Sequence, residues 1–150
     1  MEEAAEWKCN QEGEVSRSGY VDDDGEQWAL ICYRGAVASA IRGKRGQAFL
    51  REMLAALDAL PEKKLVSEEL ELDGQVCAIG SVGLARGIDM SQIDPHDPHT
   101  VANVFGINEK LAREIVYEND ECGWRDTPEM RFERMRKWVV SNLRDGGDKA

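Results

Sequence analysis

Apolar residues recur at three- to four-residue steps from Gln27 to about Arg42, at Trp28, Ile31, Cys32, Gly35, Ala38 and Ile41. That is the period of one helix face, so the pattern predicts an amphipathic helix. A second stripe follows at once: Phe49, Leu50, Met53, Leu54, Leu57 and Leu60, stopping at Pro61. Gly43 lies just past the first stripe with Arg42 in its last turn, the signature of a helix stop. The stretch "GKRG" (43–46) is therefore predicted to join two helices. Gly35, inside the first stripe, costs about 1 kcal/mol relative to alanine, which predicts a close helix contact at that point.

The next segment, "EKKLVSEELELDG" (62–74), is charged, with Leu65, Leu70 and Leu72 as its apolar positions. We read it as a short helix, the alternative being a strand that turns at Asp73-Gly74. "QVCAIGSVGLARGI" (75–88) is again helical in period, through Val76, Ile79, Val82 (or Gly83) and Ala85. Its Gly80, Gly83 and Gly87 predict close packing against a neighbouring helix. A nucleotide loop fits poorly, because there is no G-x-G-x-x-G and no clear strand before it. "IGSVG" is not a nucleophile elbow either, since isoleucine stands where that turn needs glycine. Asp97 and Thr127 are N-cap residues, each followed by a proline suited to the first helical turn. The last helix, 128–144, has Phe132, Met135, Val139 and Leu143 as its core stripe, with Trp138 beside it. Arg131, Arg134, Arg136 and Lys137 fall off that stripe, on a predicted basic exposed side.

These elements add up to an all-α fold, a single compact domain of about five or six helices over residues 27–144. Residues 1–26 read as an acidic, poorly structured lead-in ending in "GYVDDDGE", and 145–150 as a frayed tail. The clearest supersecondary pattern is "TVANVFGINEKLAREIVYEN" (100–119), which reads helix, tight turn, helix. Ala102 permits a close crossing, Gly106 sits where a positive φ is needed, and Ile107 follows as an apolar anchor. Ala102, Gly106, Ile107, Lys110 and Arg113 together resemble the helix-turn-helix of DNA-binding regulators. The second helix would carry Glu109, Glu114, Glu118, Asp120 and Glu121 against only Lys110 and Arg113. Phosphate contacts dominate affinity for DNA, so a structural hairpin is the leading reading, with DNA reading or protein binding as its alternatives.

The chain has 150 residues and a net charge of −10, so nucleic acid repels it as a whole. The charge comes in blocks: residues 1–26 carry net −7, 27–64 net +4, 65–121 net −9 and 122–150 net +2. The basic block contains Arg42, Lys44, Arg45 and Arg51 around the 43–46 junction. They are a candidate anion- or partner-binding site, because a helix N-terminus offers free N–H groups to phosphate or carboxylate. The competing reading is an ordinary turn, and the P-loop pattern is absent. Glu68, Glu69, Glu71, Glu114, Glu118, Asp120 and Glu121 form a candidate acidic interaction surface for a basic partner.

Candidate chemistry is sparse. With 42% hydrophobic and 32% charged residues, the chain reads as globular. No apolar run approaches the roughly 20 residues that span a bilayer, and the acidic start does not resemble a secretory signal. Cys9, Cys32, Cys77 and Cys122 have no C-x-x-C spacing and read as reduced thiols. Asp94, His96, Asp97 and His99 sit close together, but helix capping and two prolines explain that spacing, and a third histidine is lacking. We therefore expect no metal, no cofactor, no membrane association and no catalysis. A nucleophile–base pair such as Cys122 with a histidine is the remaining enzymatic alternative.

Three stretches carry a wider resemblance: "RGAVASAIRGKRGQAFLREMLAALDALPEK", "GQVCAIGSVGLARGIDM" and "AREIVYENDE". Through them the chain, from about Gly19 to Leu143, resembles a family of small uncharacterised proteins of proteobacterial phages and prophages. The resemblance brings no activity and no catalytic residue. It implies a phage-derived accessory protein in the bacterial cytoplasm. Small acidic phage proteins often bind host proteins, including restriction and CRISPR machinery, some as DNA mimics. The resulting expectation is a non-catalytic binder of a basic, nucleic-acid-binding host protein. The alternative is a helix-turn-helix regulator using residues 42–45, Arg131, Arg134 and Lys137.

Overall fold

The computed structural model describes residues 27–122 and 125–144, with side chains from Cys32 onward. The acidic lead-in and the C-terminal tail expected from the sequence lie outside the described residues. Within them the fold is mainly α-helical, as the periodicity predicts. The helices are α1 (Gln27–Arg42), α2 (Lys44–Ala59), α3 (Ala78–Arg86), α4 (Pro98–Phe105), α5 (Glu109–Asp120) and α6 (Pro128–Asn142). A two-stranded hairpin, β1 (Glu71–Leu72) and β2 (Gln75–Val76), precedes α3.

Helix α2 is the hub. It packs against α1, α3 and α6, while α5 packs against α1, α3, α4 and α6. Phe49, Leu50, Met53, Ala56 and Leu57 bury one continuous stripe of α2, and each large side chain removed from water contributes about 1.5–3 kcal/mol. Phe49 meets Phe105 edge-on, with ring centroids 6.3 Å apart. Arg86 seals that edge. Its guanidinium lies 5.8 Å and 5.9 Å from the two ring centroids, and it grips Glu52 at 2.6 Å and 2.7 Å. That hydrogen bond holds the Glu52 carboxyl below its usual pKa.

The junction between α1 and α2 is a single residue. Gly43 donates its N–H to Ser39 O (3.0 Å), and its own carbonyl accepts from Gln47 (2.9 Å), so one glycine closes α1 and opens α2. It ends α1 where the sequence places the stop, with an extended backbone, φ −68° and ψ 164°. Among the described residues the expected close contact at Gly35 is absent, since a Cβ there would meet none of them within 4 Å. The tight approach is at Gly46, where a Cβ would run into the Ala40 carbonyl oxygen. Gly80 and Gly83 do pack closely, but against the Leu70 backbone and the Met90 and Phe105 side chains respectively. Gly87 instead caps α3 in the left-handed conformation, φ 72°.

Residues 62–74 are not a helix. They form a strap that pins two buried leucines, Leu65 and Leu70, and ends in the hairpin. Leu65 N–H donates to Pro128 O (3.0 Å), Val66 N–H to Val76 O (2.9 Å), and Cys77 N–H to Leu70 O (3.1 Å). Glu68 has φ 68°, and Asp73 and Gly74 have φ 51° and 81°. Left-handed conformations at three positions rule out a continuous helix, and the Asp-Gly pair makes the two-residue turn favoured in hairpins. The Asp97–Pro98 and Thr127–Pro128 caps form as read from the sequence.

Candidate binding surfaces

Helix α5 is positioned by the hairpin that the sequence singled out. Ala102 and Ile107 are buried, Gly106 takes φ 72°, and the N–H groups of Gly106 and Ile107 both donate to Ala102 O. Asn108 caps α5 by accepting from Lys110 N–H at 2.8 Å. Leu111, Ala112, Ile115 and Val116 then bury its inner face.

The N-terminal end of α5 lies beside the basic junction. Lys44, Arg45 and Gly46 at the start of α2 share an open groove with Asn108 and Leu111. Two helix N-termini therefore meet there, and Arg42, Lys44 and Arg45 are all exposed. Arg42 does not line the groove. Arg51 is half-buried and already engaged in an interaction of its own, so it is not a free cation for this site. The basic residues of α5 are less available. Arg113 pairs with Glu109 at 3.3 Å, and Glu109 also meets His99 Nδ1 at 3.3 Å. Lys110 is half-buried.

The C-terminal end of α5 lies against the strap. Glu68 N–H donates to Asp120 Oδ1 at 3.1 Å, which joins two acidic stretches 52 residues apart in sequence. Glu68 and Glu71 are exposed, and Glu69, Glu114, Glu118 and Asp120 are half-buried. Glu121 is only 9% exposed, so it drops out of the predicted surface. Helix α5 thus has the basic junction beside its start, where Glu109 opens the helix, and the carboxylates at its finish, where Arg131 and Arg134 bind the carbonyls of its last turn.

Between the strap and α5 sits a polar node that the sequence reading did not single out. Asn119 is buried. Its Oδ1 accepts from Ala78 N–H (3.1 Å), and its Nδ2 donates to Val66 O (2.9 Å) and Asp120 Oδ1 (2.8 Å). Arg131 is also buried and donates to Asn119 O (3.1 Å), Leu65 O (3.0 Å) and Asp126 O (3.4 Å). Burial, with Arg134 nearby, pulls the Arg131 pKa down, against the opposing charges of Asp120 and Asp126. Arg134 bonds Asp126 (2.6 Å) and the Glu118 carbonyl, and Arg136 bonds Asp58 (2.7 Å). The basic exposed side expected on the last helix is therefore mostly committed internally. The signal was available: Asn119 lies four residues past Ile115, and Arg131 four before Met135, both on core faces.

The remaining candidate chemistry has structural roles. Cys77 accepts from Gly80 N–H at the start of α3 (3.3 Å). The Cys122 thiol donates to Glu118, and burial beside that carboxylate pushes its pKa well above the ordinary thiol range, so it is a poor nucleophile. Asp94 Oδ1 accepts from His96 N–H, and Asp97 accepts from His99 and Thr100. Among the described residues no three His, Cys, Asp or Glu side chains gather to hold a metal ion. No helix among them is long and apolar enough to cross a membrane. No protein-family model, curated protein or solved structure matches this chain.

One consequence of the junction geometry is measurable. Lys44 and Arg45 are exposed, and no shift of stability should follow their loss. The variant Lys44→Ser plus Arg45→Ser is expected to unfold within about 0.5 kcal/mol of the wild type in urea, the ordinary range for surface changes. A larger loss would mean that the two cations hold the helix junction together.

Proposed function

We propose that the protein is a non-catalytic binding protein that engages a basic, nucleic-acid-binding host protein through its acidic end. In keeping with the phage-family resemblance, it acts as a phage- or prophage-derived accessory factor in the bacterial cytoplasm, of the kind that inhibits restriction or CRISPR systems. The observation that carries this reading is the bond from Glu68 N–H to Asp120 Oδ1, which gathers distant carboxylates at one end of α5. A basic partner approaching that end is steered over about a Debye length, roughly 8–10 Å at ordinary salt. A second reading, a helix-turn-helix nucleic-acid-binding regulator, is favoured by the groove that brings Lys44 and Arg45 to the start of α5. It is opposed by Glu109, which occupies Arg113, and by the carboxylates along α5.

Cross-linked capture from bacterial lysate separates the two, using the wild type, Glu68→Lys plus Glu71→Lys, and Lys44→Ser plus Arg45→Ser. The first reading expects a basic protein held by the wild type and by the serine variant, and lost with the lysine variant. Retention by the lysine variant with loss in the serine variant, together with binding of duplex DNA by the wild type, would replace it with the second.

A further inference from the structure

Helix α6 keeps one face uncovered, and its residues are arranged symmetrically. Met130 is 54% exposed and Val140 47% exposed, and Glu133 and Lys137 between them are exposed as well. These four positions are spaced three, four and three residues apart, which is the spacing of a heptad seam. The inner face of the same helix is filled by Phe132, Met135 and Val139, so the seam is not part of the core. A hollow runs along it, lined by the four seam residues and also by Asp126, Glu129, Arg134 and Arg136.

We infer that this face is a homodimer interface, in which α6 pairs antiparallel with α6 of a second copy. The argument is register. A two-fold axis at the level of Met135 sets Met130 opposite Val140 of the other copy, and Glu133 opposite Lys137. Every contact is then made twice, as an isologous interface requires. Apolar pairs close both ends of a seam about 15 Å long, at 1.5 Å per residue, and opposite charges meet at its middle. On the flanks Arg134 meets its own counterpart in the other copy, as does Arg136, but each is already neutralised within its own chain, by Asp126 and Asp58. Charge complementarity thus selects a second copy as the occupant. The seam is short, so the dimer is a weak one that forms with rising concentration.

Sedimentation equilibrium on the full chain tests this. The wild-type mass is expected to rise from one chain of 16.8 kDa toward two as concentration increases. Glu133→Lys and Lys137→Glu each place like charges opposite one another twice per dimer. Either alone is expected to weaken association by about tenfold or more. The double variant Glu133→Lys plus Lys137→Glu restores the pairing and is expected to recover wild-type association. A thermal melt on each variant separates lost association from lost folding. A wild type that stays monomeric at its highest soluble concentration would overturn the inference. So would association that neither single reversal weakens, or that the double variant fails to recover.

Discussion

Gly80→Val is expected to destabilise the fold by more than about 3 kcal/mol, above the ordinary range for one substitution. A Cβ at this position would run into the Leu70 carbonyl oxygen, and it would lie 3.0 Å from the Leu70 carbonyl carbon and 3.1 Å from Val76 Cβ. None of these is the loose end of a side chain. The Leu70 carbonyl is fixed by Cys77 N–H at 3.1 Å, and Leu70 itself is buried. The backbone of the strap must therefore move, which pulls the Leu70 side chain out of the core. Since a domain of this size has about 5–15 kcal/mol in total, such a loss removes much of its reserve. Gly35→Ala is the matched control. A Cβ there meets none of the described residues within 4 Å, and helix propensity then favours alanine by up to about 1 kcal/mol. Urea unfolding of both variants checks the pair. A Gly80→Val protein within about 1 kcal/mol of wild type would contradict the packing described here.

Asn119→Leu is expected to cost about 3 kcal/mol, for a different reason. Leucine nearly preserves volume, so no cavity opens. What is lost is the acceptor for Ala78 N–H and the donor for Val66 O. Each buried backbone group left unpaired costs about 1–3 kcal/mol. Asn119→Asp keeps the acceptor but turns a buried carboxylate oxygen toward the Val66 carbonyl and the Asp120 carboxylate, so it is expected to destabilise at least as much as leucine at neutral pH. Hydrogen exchange gives a local readout, because the Ala78 amide should lose protection in the leucine variant. Wild-type stability for Asn119→Leu would mean that the strap and α3 are held by packing alone.

The helices were legible because their apolar spacing and caps agree. The α2 stripe from Phe49 to Leu57, the Asp97–Pro98 and Thr127–Pro128 starts, and the Gly106 turn all appear where local chemistry places them. The strap is not legible in the sequence because Leu65, Leu70 and Leu72 carry too weak a period to choose between helix and strand. The choice was made by long-range bonds to Pro128, Val76 and Asp120, which no local pattern contains. For the same reason Arg131 and Arg134 read as surface cations, although their carbonyl partners come from the strap and the end of α5. The glycine in close contact at the α1–α2 junction is Gly46 and not Gly35, since a glycine's neighbours are set by tertiary geometry. The two ends of α5 were visible as charge blocks, but their division along one helix was not.

The proposed function is seated at the acidic end of α5, and a binding titration probes it. Once a partner is captured, its affinity for the wild type and for Glu68→Lys plus Glu71→Lys can be measured by calorimetry at several salt concentrations. The expected result is a loss of about tenfold or more for the lysine variant, with wild-type affinity falling as salt rises. Equal affinity for the two proteins, at every salt concentration, would contradict a function seated at the acidic end of α5.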